Sequence, residues 1–317
     1  MRIIFMGTPD FAVPTLQALL SSEHEVTAVY TKADQESGRG QKIIFSPVKK
    51  AALQAGIPVF QPEKLNKTAV AEMRTIPADV IVVAAYGKIL RPSVLQMTPY
   101  GCINVHASLL PKYRGAAPIQ WAVLNGETES GVTIMQMNEG LDTGDILYQE
   151  KVPITANETS DSLFEKLSEL GGPALLKVLK RIEEGTLEPV PQPLESPTEY
   201  ARMLRKEDGI LDFSKSAEEN ERFIRGMYSW PAAQAAFRGR SLRICSAEAV
   251  TDDSDTLPGT VSNVSKHNFL VKCGKDALNI LSLQPEGKKE MSADAFLRGY
   301  RVTPGESFAM PLPKEDE

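Results

Sequence analysis

At 317 residues, 42 % hydrophobic and 24 % charged, the chain has the size and composition of a two-domain globular protein able to bury a large core without covalent staples. A net charge of −6 and a pI near 5.4 exclude a broadly basic nucleic-acid coat and leave room for a local basic patch. Cys102, Cys245 and Cys273 are too far apart for zinc spacing or a disulfide framework, no apolar run approaches the roughly 18 residues of a membrane helix, and the N-terminus has no signal-peptide layout, so a reducing cytoplasm with no membrane association is the expected setting.

Residues 2–6 (RIIFM) are an apolar strand ending at Gly7, and residues 11–20 carry a helical pattern that tolerates Pro14 in its first turn. Residues 26–31 (VTAVYT) are the next strand, 47–55 a helix and 58–60 a short extended piece. Residues 79–85 (DVIVVAA) are apolar almost throughout, as in a parallel strand covered on both faces. Residues 101–106 are a further strand, 116–124 a helix, and 132–137 and 146–152 continue the sheet. Residues 162–184 are helical, with an expected break or kink at Gly171-Gly172-Pro173. This alternation predicts an α/β fold, a Rossmann-like open and mostly parallel sheet with helices on both faces, over residues 1–189.

Four prolines in residues 188–197 (EPVPQPLESP) mark an extended linker over 190–207. Beyond it, Ser216 and Glu219 form a capping box that opens a helix. Short β patterns at 242–246, 259–264, 269–273 and 278–283, separated by turn residues, predict a small OB-like β-barrel over 208–317.

The first turn, Gly7-Thr8-Pro9, lacks the dinucleotide-binding glycine pattern, and no P-loop is present. His24, His106 and His267 are isolated from one another and from the cysteines, so no metal is expected. Asn104 and His106, two apart on one strand, point the same way, at the carboxyl end where open α/β sheets bind ligands. An aperiodic loop, 107–115, follows. The acidic, Gly-rich loop 138–145 (NEGLDTGD) can bring a carboxylate to the same place; its aspartates are equally well suited to forming turns.

The strings NVHASLLPKYRGAAPIQWA and NEGLDTGDIL closely resemble the 10-formyltetrahydrofolate-dependent formyltransferases. MGTPDFAVPTLQAL, SGRGQKIIFSPVK, EYARMLRKEDGILDFS and LSLQPEGKKEMSADAFLRG resemble the branch acting on initiator methionyl-tRNA, so the likeness spans essentially the whole chain. The resemblance implies a catalytic trio of Asn104, His106 and Asp142. Asn104 and a His106 N–H would stabilise charge on the formyl oxygen, and Asp142 would accept from the other imidazole nitrogen. It implies a folate cleft walled by Ser108, Leu109, Leu110 and Pro111 on one side and by Tyr86, Gly87 and Ile89 on the other. Independently, the sharp turn required beside the site makes a cis Leu110–Pro111 peptide the expectation. The resemblance further implies tRNA contacts by Arg39, Lys42 and Lys206 and formyl transfer from 10-formyltetrahydrofolate to the methionyl amino group without a metal; a monomer is expected.

Formyltransferases of sugar nucleotides and the hydrolase module of formyltetrahydrofolate dehydrogenases share the trio, but as a group they differ from this chain at Ser37–Lys42; glycinamide ribonucleotide formyltransferases ordinarily lack the second domain. A non-enzymatic nucleic-acid-binding barrel is the remaining alternative. Against it, residues 206–317 hold 15 basic and 18 acidic side chains, so only a local cluster of Arg238, Arg240, Arg243, Lys272 and Lys275 could face phosphate.

Overall fold

A computed structural model describes residues 1–37 and 42–309. The chain forms two compact units: Met1–Pro118, Glu129–Pro153 and Leu163–Arg202 in the first; Ile119–Thr128, Ile154–Ser162 and Met203–Glu317 in the second. This division differs from the single cut expected at 190–207. Residues 190–202, read from their prolines as a linker, are bonded into the first unit. Ile146 and Val190 exchange backbone hydrogen bonds (both 2.8 Å), Tyr113 N donates to Thr198 Oγ1 (2.7 Å), and Ala201 N donates to Arg114 O (2.8 Å).

In chain order the elements of residues 1–183 are β1 (Arg2–Gly7), α1 (Ala12–Leu20), β2 (Glu25–Tyr30), β3 (Gln35–Ser37), β4 (Lys42–Ile44), α2 (Pro47–Gln54), β5 (Val59–Phe60), α3 (Lys67–Met73), β6 (Val80–Ala84), α4 (Pro92–Leu95), β7 (Cys102–His106), α5 (Pro118–Leu124), β8 (Glu129–Gln136), β9 (Ile146–Pro153) and α6 (Ser160–Glu183). The main sheet has the order β5-β2-β1-β6-β7-β8-β9. From β5 to β7 every pairing is parallel; β8 and β9 are antiparallel. All five residues of β6 are buried, which accounts for its unbroken apolar run. Ile4, Met6, Ile81 and Val83 fill one core cluster with Tyr30 and Tyr86.

Helix α6 runs unbroken through Gly171-Gly172-Pro173, contrary to the expected interruption. The glycines serve close packing instead. A Cβ on Gly171 would lie 2.9 Å from Val105 of the sheet, and one on Gly172 would lie 2.5 Å from Ala18 Cβ.

The second unit contains a 3₁₀ turn (Lys206–Gly209), α7 (Ala217–Gly226), β10 (Ala233–Phe237), β11 (Arg240–Val250), β12 (Val261–Val264), β13 (Phe269–Lys272), β14 (Ala277–Pro285), β15 (Met291–Ser292), α8 (Ala293–Tyr300) and β16 (Phe308–Ala309). The capping box that opens α7 forms as expected: Ser216 Oγ accepts from Glu219 N (3.2 Å) and Ser216 N donates to the Glu219 carboxylate (2.9 Å). The antiparallel sheet follows the order β12-β13-β14-β11-β10-β16. Its two edges then meet: Val261 N donates to Glu306 O (2.8 Å), Gly305 N to Val261 O (2.9 Å), and Phe308 N to Gly259 O (2.6 Å). The sheet thus curls into a small barrel. Its core is aromatic, with Phe308 stacked on Phe237 and Phe269 and edge-on to Phe213.

Candidate active site

Strands β6 and β7 are parallel neighbours, with Val83 opposite Asn104, so the loops after Ala84 and after His106 emerge at the same end of the sheet. His106 is buried and Asn104 half-buried on the same face of β7. Among the described residues, the Asn104 amide has no hydrogen-bond partner of its own.

Strand β8 is antiparallel to β7, with Gln136 opposite Ile103 and Thr133 opposite His106. The loop after β8 therefore leaves at the far end of β7 from His106; Met137 N donates to Cys102 O there (2.8 Å). It runs back along the sheet, and Asp142 Oδ2 ends 3.8 Å from His106 Nδ1, an ion-pair separation longer than a direct hydrogen bond. The same oxygen accepts from Gly115 N (2.9 Å). Asp142 adopts a left-handed backbone (φ +54°), uncommon for a residue with a side chain.

His106 Nε2 lies 3.1 Å from Tyr113 O. A carbonyl only accepts, so Nε2 carries a proton and Nδ1 is the nitrogen left to face Asp142 or a substrate. This corrects the expected division of labour, in which one ring nitrogen served the formyl oxygen and the other Asp142: a backbone carbonyl holds the second nitrogen.

A polar frame sets the 108–112 turn. Thr133 Oγ1 donates to Ser108 O (2.6 Å) and accepts from Leu110 N (3.0 Å). Gln149 Nε2 donates to Leu110 O (2.8 Å) and to Thr133 Oγ1 (2.9 Å), and Ser108 Oγ to Lys112 O (2.7 Å). Leu110–Pro111 is cis, as expected. Ser108 and Leu110 are buried, while Leu109 and Pro111 are partly exposed.

On the neighbouring loop, Ala85 and Gly87 have positive φ (+47° and +74°), and Ile89 is 80 % exposed. The Tyr86 side chain is not at a surface. It packs into the core beneath the sheet, where burial pushes its hydroxyl up to about 12, so only its backbone belongs to the loop. Tyr200, half-exposed, has its phenol pushed up by burial and then by the charge of Asp142.

Arg39 lies outside the described residues. Of Lys42 only the backbone, in β4, is described; Lys206 is exposed at the start of the 3₁₀ turn.

Burial pushes the three thiols up, Cys102 to about 12 and Cys245 and Cys273 to about 11, which leaves each a poor nucleophile at neutral pH. No helix among the described residues is long and apolar enough to cross a membrane. The site so defined, an amide, an imidazole and a carboxylate converging on one end of a parallel strand, suits stabilisation of a developing oxyanion and the movement of a proton.

Residues 1–179 match the formyl transferase family, and residues 203–301 match the formyl transferase C-terminal domain. The chain belongs to this family. Among its relatives is the methionyl-tRNA formyltransferase of Lachnospira eligens, 50 % identical over 311 residues and covering 96 % of this chain and 98 % of the relative. The protein of the same name from Agathobacter rectalis is 47 % identical, covering 98 % and 100 %. Within the family the chain is therefore one of the methionyl-tRNA formyltransferases. The fold is also that of an N-formyltransferase from Helicobacter canadensis solved with folinic acid and dTDP-3-aminofucose (TM-score 0.64, 21 % identity, 89 % of this chain and 98 % of that one).

Proposed function

We infer that the chain transfers the formyl group of 10-formyltetrahydrofolate to the free amino group of methionyl-tRNA, giving the N-formylated initiator. The observation that carries the mechanism is the approach of Asp142 to His106 Nδ1, with the Asn104 amide on the same face of β7. The folate supplies the formyl group and a nitrogen able to leave.

An α-amino group with an ordinary pKa near 7.7–8.0 has a sizeable neutral fraction at pH 7, so the attacking nitrogen needs no strong base. The chain's task is charge and protons. Asn104 Nδ2 donates to the formyl oxygen as negative charge gathers there, and His106, acting as the imidazolium with Nε2–H committed to Tyr113 O, donates its second N–H through Nδ1. Asp142 takes, through one water, the proton that the amine sheds on forming the new C–N bond, and the same proton is relayed to the folate nitrogen as its bond to the formyl carbon breaks.

The loops after β6 and β7 fit a flat heterocycle. They offer exposed apolar surface at Ile89, exposed backbone at Ala85 and Gly87, and a turn at Leu109–Pro111 held by Thr133 and Gln149. In this reading Arg39, Lys42 and Lys206 contact tRNA, and the protein works in the cytoplasm as a monomer.

The test is formylation by 10-formyltetrahydrofolate of charged initiator tRNA, with free methionine, an aminosugar nucleotide and water as competing acceptors. Efficient transfer to the tRNA alone is expected; preference for the aminosugar or for water would overturn the reading.

A further inference from the structure

The nine residues between β8 and β9 have an awkward path. They leave the sheet at the end of β7 opposite His106, yet must present Asp142 to it from a left-handed backbone that persists only where its surroundings hold it. Within the loop, Asn138 Oδ1 accepts from Gly140 N and from Thr143 Oγ1 (both 3.0 Å), while the Asp142 carbonyl finds its donor outside the loop.

Gln192, in the proline-rich segment after α6, supplies it. Its Nε2 donates to Asp142 O (3.0 Å) and to Gly144 O (2.6 Å). Its Oε1 accepts from Arg114 Nε (3.1 Å) and Nη2 (2.9 Å). Both ends of the amide are thereby fixed, since carbonyls can only accept and a guanidinium can only donate. Arg114 is buried and rigidly set: Nη1 donates to Leu194 O (3.1 Å) and Nη2 also to Pro193 O (2.7 Å). Its chain neighbours touch the trio directly, Tyr113 through the carbonyl on His106 Nε2 and Gly115 through the N–H on Asp142 Oδ2. One guanidinium–amide pair thus ties the loop carrying Asp142 to the segment that orients His106.

We propose that Gln192, anchored by Arg114, is a positioning residue that sets the Asp142 carboxylate against His106. It touches no substrate. The proposal rests on the catalytic role assigned above to Asp142 and specifies what keeps that carboxylate in place.

Gln192→Glu separates its two duties. The carboxylate still accepts from Arg114, so the segment stays anchored, but it cannot donate to the carbonyls of Asp142 and Gly144 and repels them. We expect a denaturation midpoint close to wild type, a kcat lower by about 10²-fold, the loss that an ångström-scale misplacement produces, and little change in KM for the folate. Combined with Asp142→Asn, the variant should add almost nothing, because the group it positions is already gone. Near-normal kcat in Gln192→Glu, with Asp142→Asn impaired, overturns the proposal, as do fully multiplicative losses in the double variant. Near-normal turnover in Asp142→Asn itself would instead overturn the assignment of the trio. If the glutamate variant does not fold, Gln192→Met, which adds no charge, makes the same comparison against Asp142→Asn and is judged by the same outcomes.

Discussion

At the scale of single residues, the imidazole of His106 shows how a backbone atom decides a side chain's job. Tyr113 O holds Nε2, and Nδ1 alone is left for chemistry. Replacing Asn104 by Ala, where only one oxyanion donor is lost, should lower kcat by about 10²–10³-fold with the protein folded. His106→Ala and Asp142→Asn should each cost at least about 10²-fold. Steady-state kinetics on the single and paired variants provides the check, and losses far short of multiplicative are expected if the three act as one unit. Much of this was legible in the sequence. Period-two geometry put Asn104 and His106 side by side, while the NEGLDTGD loop left its aspartates divided between a site carboxylate and turn formers, and only the family resemblance singled out Asp142. Tyr113 O and Gln192 were not legible, for a physical reason: a carbonyl acceptor has no residue signature, and a glutamine between prolines looks like any other linker residue. That the Tyr86 side chain turns into the core was not legible either, since its motif does not reveal which way a side chain turns at a loop entrance.

At the scale of elements, the same residue type has opposite effects in two helices. Alanine is favoured over glycine by roughly 1 kcal/mol in a helix interior. At Gly172 in α6, the added Cβ would meet Ala18 Cβ at 2.5 Å, so overpacking of about 1–3 kcal/mol should win and Gly172→Ala should destabilise. At Gly299 in α8 nothing lies within 4 Å, and Gly299→Ala should stabilise by up to about 1 kcal/mol. Urea midpoints for the two variants test both signs. The edge of β1 offers a pH-dependent case. Asp79 accepts from the Arg2 side chain and from Arg2 N (both 2.7 Å), and these bonds, the side-chain one first, hold its carboxyl below the usual range. A carboxyl depressed in the folded state adds stability above its unfolded pKa and loses it as pH falls through the folded one. Asp79→Asn should therefore lower Tm modestly at pH 7, and the gap from wild type should close as the pH drops below the carboxylate range. The helix α6 was legible from its periodicity, but its continuity was not. A Gly-Gly-Pro run reads as a break, and only the neighbouring α1 and sheet explain why small residues were needed there. Helices α3 and α8 open on the side-chain caps of Asn66 and Ser292, local signals that the chain-order reading passed over, whereas the alanine-rich β10, AQAAF, has a weak local signal and is defined by its pairing between β11 and β16.

At the scale of the whole molecule, the acidic balance and the polyanionic partner pull against each other. A net charge of −6 opposes approach of tRNA through the long-range field, so binding has to come from a few local cations at short range. Each cation that neutralises a phosphate releases a counterion and adds roughly 0.7–0.9 to the slope of log K against log salt. Lys206 is the candidate most directly open to this test, being exposed in a short 3₁₀ turn rather than packed into a core. If Lys206 contacts a phosphate, Lys206→Ala should weaken tRNA binding, reduce the magnitude of the salt slope by about 1, and leave folate affinity as it was. Arg39→Ala should behave differently if it contacts base edges at the acceptor end. It should cost about 1–3 kcal/mol in kcat/KM and discriminate between tRNAs whose first position is paired and unpaired. Titrations across a salt series for wild type and Lys206→Ala, with both tRNA types for Arg39→Ala, separate a phosphate anchor from a selector. An unchanged salt slope in Lys206→Ala would remove that lysine from the interface.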